Sequence, residues 1–196
     1  YGNGSAPGAL VWSSPSANDG EGIRVNGGNF HLGNVATGSN ASPWIFNANK
    51  NNERHIKVFG GTYNYNVFNQ YWIFEVQTTK EYAIKYDGDE AGTWTVVPAV
   101  AWVDNRIQSG SKYYTYELGY TTLAEAIAAA EDCNEPNFTE TVTLLQDITL
   151  ENTITVNAGK EVILDLNVFT VSQKQEFTKS YSMIKNNGKL TIEGNG

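Results

Sequence analysis

Apolar and polar positions alternate in short runs through residues 141–196. Thr141-Val-Thr-Leu-Leu-Gln-Asp-Ile-Thr-Leu150 is followed by Ile154-Thr-Val156, Val162-Ile-Leu-Asp-Leu166, Phe169-Thr-Val171 and Lys189-Leu-Thr-Ile-Glu193. Successive side chains of a strand point to opposite faces, and Val, Ile and Thr suit a pleated surface, so each run reads as a strand. Turn signals close the runs: Gln146-Asp147, Asn157-Ala-Gly159, Asn167, Asn186-Asn-Gly188 and Gly194-Asn-Gly196. The runs are too short for helices, and hardly two are joined by a two-residue hairpin signal. Strand and turn recurring every roughly 20–27 residues predict a solenoid.

The first half carries a related pattern. Ala9-Leu-Val-Trp12 reads as a strand, followed by a polar loop, Ser13–Gly20. Gly22-Ile-Arg-Val-Asn-Gly-Gly-Asn-Phe-His-Leu32 gives strand, Gly-Gly turn and strand, and His55-Ile-Lys-Val-Phe-Gly-Gly-Thr-Tyr63 repeats it. The two glycine pairs, Gly27-Gly28 and Gly60-Gly61, stand 33 residues apart, which predicts one turn of a coil plus a loop. Trp44-Ile-Phe46 supplies a strand between them. Tyr82–Tyr86 and Thr93–Ala99 read as a hairpin across Asp87–Gly92, and Val100–Val103 with Ser111–Glu117 as another around Asn105–Gly110. A helix is expected over Leu123–Glu131, capped by Thr121 or Thr122 with Glu125 in the capping box. Leu123, Ile127 and Ala130 would form its buried stripe, and Asn134-Glu-Pro136 would end it. A polar loop is expected at Ser172–Lys179.

The series Leu123-Ala-Glu-Ala-Ile-Ala-Ala-Ala130, Thr141–Leu150, Ala158-Gly-Lys-Glu-Val-Ile-Leu-Asp-Leu-Asn167 and Leu190-Thr-Ile-Glu-Gly-Asn-Gly196 resembles pectate-lyase-like parallel β-helix modules. Such modules occur in large adhesin-like surface proteins of gut bacteria and in related phage fibre proteins. The resemblance implies that the helix caps the start of a β-helix whose first rungs follow. Val58-Phe-Gly-Gly-Thr-Tyr63 is similar to a last rung, and Tyr82–Gly88 with Gly92–Pro98 to its closing hairpin. The expected fold is mainly β, with right-handed parallel β-helix rungs at both ends and a small linking region of β-hairpins and one α-helix. Residues 1–74 would be C-terminal-type rungs, residues 75–140 the linking hairpins and capping helix, and residues 141–196 the N-terminal-type rungs of a second β-helix. The chain thus finishes one β-helix before beginning another.

Composition narrows the function. The 196-residue chain is 17% charged, rich in Gly, Asn, Thr and Tyr, and has a net charge of −8, as in all-β extracellular proteins. The acidic balance disfavours nucleic acid and anionic membranes as partners. Residues 99–196 carry 13 acidic and 7 basic groups, a solvated face before a binding field. Cys133 stands alone with no His nearby, and reads as a buried thiol rather than a nucleophile. No apolar run is long enough to span a bilayer, and the start at Tyr1-Gly-Asn-Gly4 suggests a processed product or an excised piece.

Little in the sequence points to chemistry. Asp147, Glu151, Glu161, Asp165 and Glu193 are scattered, and Asp165 is expected to face solvent. Arg24, Arg54 and Arg106 lack neighbouring Asp pairs, and His31 and His55 sit at different offsets from their glycine pairs. A lyase or hydrolase needs such groups clustered. Asp87-Gly-Asp-Glu-Ala-Gly92 lacks a calcium loop's oxygen ligand at the fifth position and its Glu at the twelfth, and reads as an acidic turn; the sequons at Asn3, Asn40 and Asn137 carry little weight in the bacterial or phage setting that the resemblance implies. Neither a cofactor nor a metal nor enzymatic activity is expected.

Two readings remain. One is an extracellular structural or adhesive module, on a cell or phage particle surface. It would stack head-to-tail with other copies or with adjacent repeats of one polypeptide, through Leu10 and Trp12 at one end and Leu190 and Ile192 at the other. The other is a carbohydrate-binding or polysaccharide-degrading module. Its aromatic run, with Tyr63, Tyr65, Tyr71 and Trp72, would either stack on host glycan or cover an open helix end.

Overall fold

The computed structural model describes residues 9–13, 24–31, 44–48, 56–64, 76–78, 80–87, 93–109, 112–131, 138–174 and 182–195. The fold is mainly β, built from several small sheets with one helix among the described residues. The chain divides into two compact units, residues 1–79 with 84–97 and residues 80–83 with 98–196.

In the first unit the chain runs through β1 (Ala9–Ser13), β2 (Arg24–Val25), β3 (Asn29–Phe30), β4 (Trp44–Ala48), β5 (Ile56–Val58), β6 (Thr62–Tyr63) and β7 (Val76–Thr78). All pairings among these strands are parallel: β1 with β4, β2 with β5, β3 with β6, and β5 with β7. Arg24 faces Lys57 and Phe30 faces Tyr63, both one 33-residue step apart, the spacing of the two glycine pairs. The ladder extends past residue 74, because β7 continues on β5. The reversal comes later, where β9 (Thr93–Pro98) lies antiparallel on β6 and β8 (Tyr82–Asp87) lies beside β9.

The glycines show why the spacing is kept. A Cβ on Gly60 would lie 2.7 Å from the Asn26 carbonyl oxygen, and one on Gly61 2.8 Å from that of Gly28. Gly61 also has φ 111°, which glycine tolerates at no steric cost. Inside, Val25, Val58 and Tyr63 are buried, and the Tyr63 ring stacks on Phe30 at 5.1 Å between centroids.

The second unit opens with an antiparallel pair, β10 (Ala101–Ser109) and β11 (Lys112–Tyr120), in register from Ala101↔Tyr120 to Ser109↔Lys112. The turn expected over Asn105–Gly110 is therefore shifted: Asn105–Ser109 belong to the strand. Their polar side chains read as loop, but backbone pairing along the whole of β11 carries them. Helix α1 (Leu123–Glu131) follows. Its capping box is closed by Thr122, whose Oγ1 accepts from the Glu125 N–H at 3.1 Å while Glu125 Oε2 accepts from the Thr122 N–H at 3.0 Å. Leu123, Ile127 and Ala130 are buried as expected, and Ala126 with them.

From there β12 (Glu140–Leu144), β13 (Ile148–Leu150), β14 (Ile154–Val156), β15 (Glu161–Asp165), β16 (Val171–Gln173), β17 (Ile184–Asn186) and β18 (Lys189–Glu193) visit three ladders in rotation. β12, β15 and β18 form one parallel ladder, β13 and β16 a second, β14 and β17 a third. Residue steps are 22, 23, 30 and 28 in chain order, from Glu140↔Val162, Ile148↔Val171, Ile154↔Ile184 and Glu161↔Lys189. The longer steps absorb the insertion between β16 and β17 without breaking any ladder. Ser172 and Gln173, expected in that loop, pair instead with Thr149 and Leu150.

The core collects Val142, Leu144, Leu150, Ile154, Val156, Val162 and Leu164 under the helix, with Ala101 and Val103 from β10. Strand alternation accounts for it: on β12, β14 and β15 every second residue points in. β10 also pairs antiparallel with β12, Val103 facing Val142, so the first strand of the ladder is flanked by a reversed one. Gly119 permits a close crossing at this place, since a Cβ would meet the Ala99 Cβ at 2.8 Å and the Lys80 carbonyl oxygen at 2.8 Å.

Leu164 is 1% exposed and fills this interior, so Leu164→Ala should lower stability by about 3 kcal/mol, read from urea melts. Thr122→Ala removes the helix cap and should cost about 1 kcal/mol in the same measurement, with Thr122→Asp restoring most of it.

Candidate functional site

Of the residues expected to stack on glycan or to cover a helix end, the structure describes Tyr63. Tyr63 is fully buried, and its hydroxyl donates to the Gly60 carbonyl at 2.8 Å. Burial raises its pKa above the usual phenol value. As a sugar-stacking face Tyr63 is therefore excluded: the alternation that makes β6 a strand turns this ring inward onto Phe30. Tyr65, Tyr71 and Trp72 lie outside the described residues.

Four of the acids singled out in the second unit are engaged locally. Asp147 Oδ1 accepts from the Thr170 N–H at 2.8 Å, and Glu151 pairs with Lys174 at 3.4 Å. Glu161 pairs with Lys189, one step along its ladder. Asp165 is half-buried, and its Oδ1 accepts from the Asn167 N–H at 2.7 Å. It alternates with the buried Leu164, on the opposite side of the strand. Asp165 shapes the turn in which Asn167 takes φ 55°, a conformation Asn tolerates better than most residues. Asp87 pairs with Lys85 at 2.9 Å, and residues 88–92 lie outside the described residues.

Among the described residues no three His, Cys, Asp or Glu side chains gather where they could hold a metal. His31 is exposed. The 33-residue register carries its strand toward Asn64, whose N–H donates to the Phe30 carbonyl at 3.3 Å, and not toward His55. His55, Arg54, Cys133 and the sequon residues Asn3, Asn40 and Asn137 lie outside the described residues, as does the side chain of Arg106. No helix among those described is long and apolar enough to cross a membrane.

What the structure does bring together is a set of ladder edges. β18 is the last strand of its sheet, and β16 and β17 each have one neighbour among the described residues. On β18, Leu190 is half-buried over Val162, and Ile192 is 56% exposed although it pairs with the buried Leu164. Among the described residues no further strand lies beside β18 to cover Ile192. In the first unit, β1, β2 and β3 likewise stand first in their ladders. Leu10 and Trp12 sit on β1, where Trp12 pairs through its backbone with Asn47; their side chains fall outside the described set.

Several outward positions of neighbouring strands pair in register. Thr149 Oγ1 and Ser172 Oγ lie 2.9 Å apart on β13 and β16, and Glu161 pairs with Lys189 between β15 and β18. Sequence reasoning missed Glu140, which is 1% exposed on the inward face of β12 with Val142 and Leu144. Its place in a Glu-Thr-Val-Thr-Leu alternation was the available signal.

The Lys189 ammonium donates to Glu161 and, with its charge, holds that carboxyl below its ordinary value of 4.5, against a smaller opposing desolvation; Thr139 adds a further hydrogen bond. A depressed folded-state pKa adds stability that is present above the unfolded value and lost as pH falls through the folded one. The difference in melting temperature between neutral pH and about pH 3 should therefore shrink in Lys189→Met.

No protein-family model, curated protein or solved structure matches this chain.

Proposed function

We propose that this chain is a non-catalytic structural or adhesive module of an extracellular surface fibre. In this reading the strands through β7 end one right-handed parallel β-helix, the hairpins and the helix link, and the strands from β12 on begin another. The helix ends stack head-to-tail, between copies or between neighbouring repeats.

One observation carries the reading: in each unit one of the parallel ladders is flanked on one side by a reversed strand and ends on the other side in a strand with no further neighbour among the described residues. β9 runs antiparallel on β6, and β10 runs antiparallel on β12. β3 and β18 end those two ladders; among the described residues β1, β2, β16 and β17 likewise have one neighbour, as do β4, β7, β13 and β14 in the other ladders. A bare parallel edge is a row of backbone donors and acceptors ready to pair with another chain. When the two edges of one molecule differ, the contact is heterologous, and repetition without closure builds a filament. Stacked strands also suit a load-bearing rod, since each pass contacts only its neighbours and no cofactor is needed.

Negative-stain electron microscopy over a concentration series tests this. Straight filaments should lengthen as concentration rises. Ile192→Lys should abolish them while leaving the melting temperature nearly unchanged, because the residue is exposed in the single chain. Single particles of the unaltered protein at every concentration would overturn head-to-tail stacking.

A further inference from the structure

The turns between ladders repeat a sequence, and their glycines are required by the turn one pass earlier. Ile56-Lys-Val-Phe-Gly-Gly-Thr-Tyr63 repeats Ile23-Arg-Val-Asn-Gly-Gly-Asn-Phe30, and Ile184-Lys-Asn-Asn-Gly-Lys-Leu190 follows the same order with a turn one residue shorter. Gly60 has no room for a Cβ because the Asn26 carbonyl oxygen would lie 2.7 Å from it. Gly188 has none because the carbonyl oxygens of Asn157 and Lys160 stand in the way. Gly27 occupies the place of Gly60 one pass earlier, in the register that joins Val25 to Val58 and Asn29 to Thr62. Yet nothing lies within 4 Å of where its Cβ would be. The space that a preceding turn fills at Gly60 and at Gly188 is open at Gly27.

The turn around Gly188 belongs to the last pass of the second unit and has the matching sequence. We infer that the β17–turn–β18 edge of one copy receives the β2–turn–β3 edge of a second copy, with the Asn187-Gly188 turn seated over Gly27. The inference rests on the head-to-tail reading and fixes its register. Lys185 then stands beside Arg24, Asn186 over Val25, Lys189 beside Asn29 and Leu190 over Phe30. Side-chain direction agrees at every pair. Lys185, Arg24, Lys189 and Asn29 are exposed. Asn186 pairs with the inward Val156 and Leu190 with the inward Val162, just as Val25 pairs with the buried Val58 and Phe30 with the buried Tyr63. Stacking would extend two columns, Val156–Asn186–Val25–Val58 and Val162–Leu190–Phe30–Tyr63, across the junction. A slip of one residue would turn every inward side chain outward.

Cysteine pairs read the register directly. Facing residues on adjacent strands lie about 4.8 Å apart, inside the range of Cα separations that a disulfide spans. Chains carrying Lys185→Cys are mixed with chains carrying Arg24→Cys, and Lys189→Cys with Asn29→Cys, under mild oxidation. The mismatched mixtures are Lys185→Cys with Asn29→Cys and Lys189→Cys with Arg24→Cys, each joining two different ladders. Mass spectrometry of the linked peptides separates these bridges from any through Cys133, and circular dichroism verifies that each variant folds as its parent does. Both matched mixtures should give the covalent dimer, and the mismatched ones should lose it. If the unaltered chain associates in sedimentation velocity but matched and mismatched pairs link equally, or neither links, the register is overturned and head-to-tail stacking stands. If the chain sediments as a monomer at every concentration and no pair links, both fall.

Discussion

A parallel strand ladder has two edges, and most of what this chain does beyond its ladders is to deal with one edge in each unit. β10 meets the first strand of the second unit's ladder in reverse direction, and β9 meets β6 in the same way. A reversed strand satisfies the backbone groups of its neighbour yet interrupts the succession of parallel passes. The helix completes the cover in the second unit: its Leu123, Ala126, Ile127 and Ala130 close over Ala101, Val103, Val142 and Leu144. The small side chains of Ala126 and Ala130, both buried, help keep it close to the strands. Remove that cover and the interior column of Val, Ile and Leu would open to water at its start.

The passes themselves are held in step by their turns. Backbone carbonyls of one turn sit where the next turn would carry a Cβ, so the stacking distance depends on glycine at Gly60 and Gly188. Asn167 and Gly159 take positive φ elsewhere in the second unit, the former steadied by the Asp165 carboxylate. Between such fixed points the chain tolerates insertions: the step from β14 to β17 is longer than that from β12 to β15, yet both ladders stay in register. A loop can lengthen at small entropic cost when the strands at its ends are already placed.

This construction bears on function through where polar groups are used. Described charged side chains pair one pass apart, as Glu151 with Lys174 and Glu161 with Lys189, or with near neighbours on their own strand, as Lys85 with Asp87. Lys80 reaches Glu117 and lies 4.5 Å over the Trp102 ring. Such an arrangement strengthens a surface and converges on no single point. The features that depart from self-sufficiency are the edge strands, with Ile192 exposed above a buried Leu164 and Gly27 open where its counterparts are filled. The proposed head-to-tail assembly is a use for those departures.

Much of this was legible in the chain alone. The alternation in Glu140–Leu144, Ile154–Val156 and Glu161–Asp165, the Thr122–Glu125 cap and the 33-residue glycine repeat are local, governed by side-chain direction, φ/ψ and short hydrogen bonds. Such features need no partner to be recognised. The full length of β10 and β11, the place of Ser172 and Gln173 in a strand, the burial of Tyr63 and the reversed pairing of β10 on β12 were not legible. Each depends on which distant segment lies alongside, and polar stretches such as Asn105–Ser109 become strand only when a neighbour takes up their backbone groups. Sequence by itself determined the strands, turns and step; tertiary structure alone decided which edges were covered and which were left open, because an edge is defined by its neighbour.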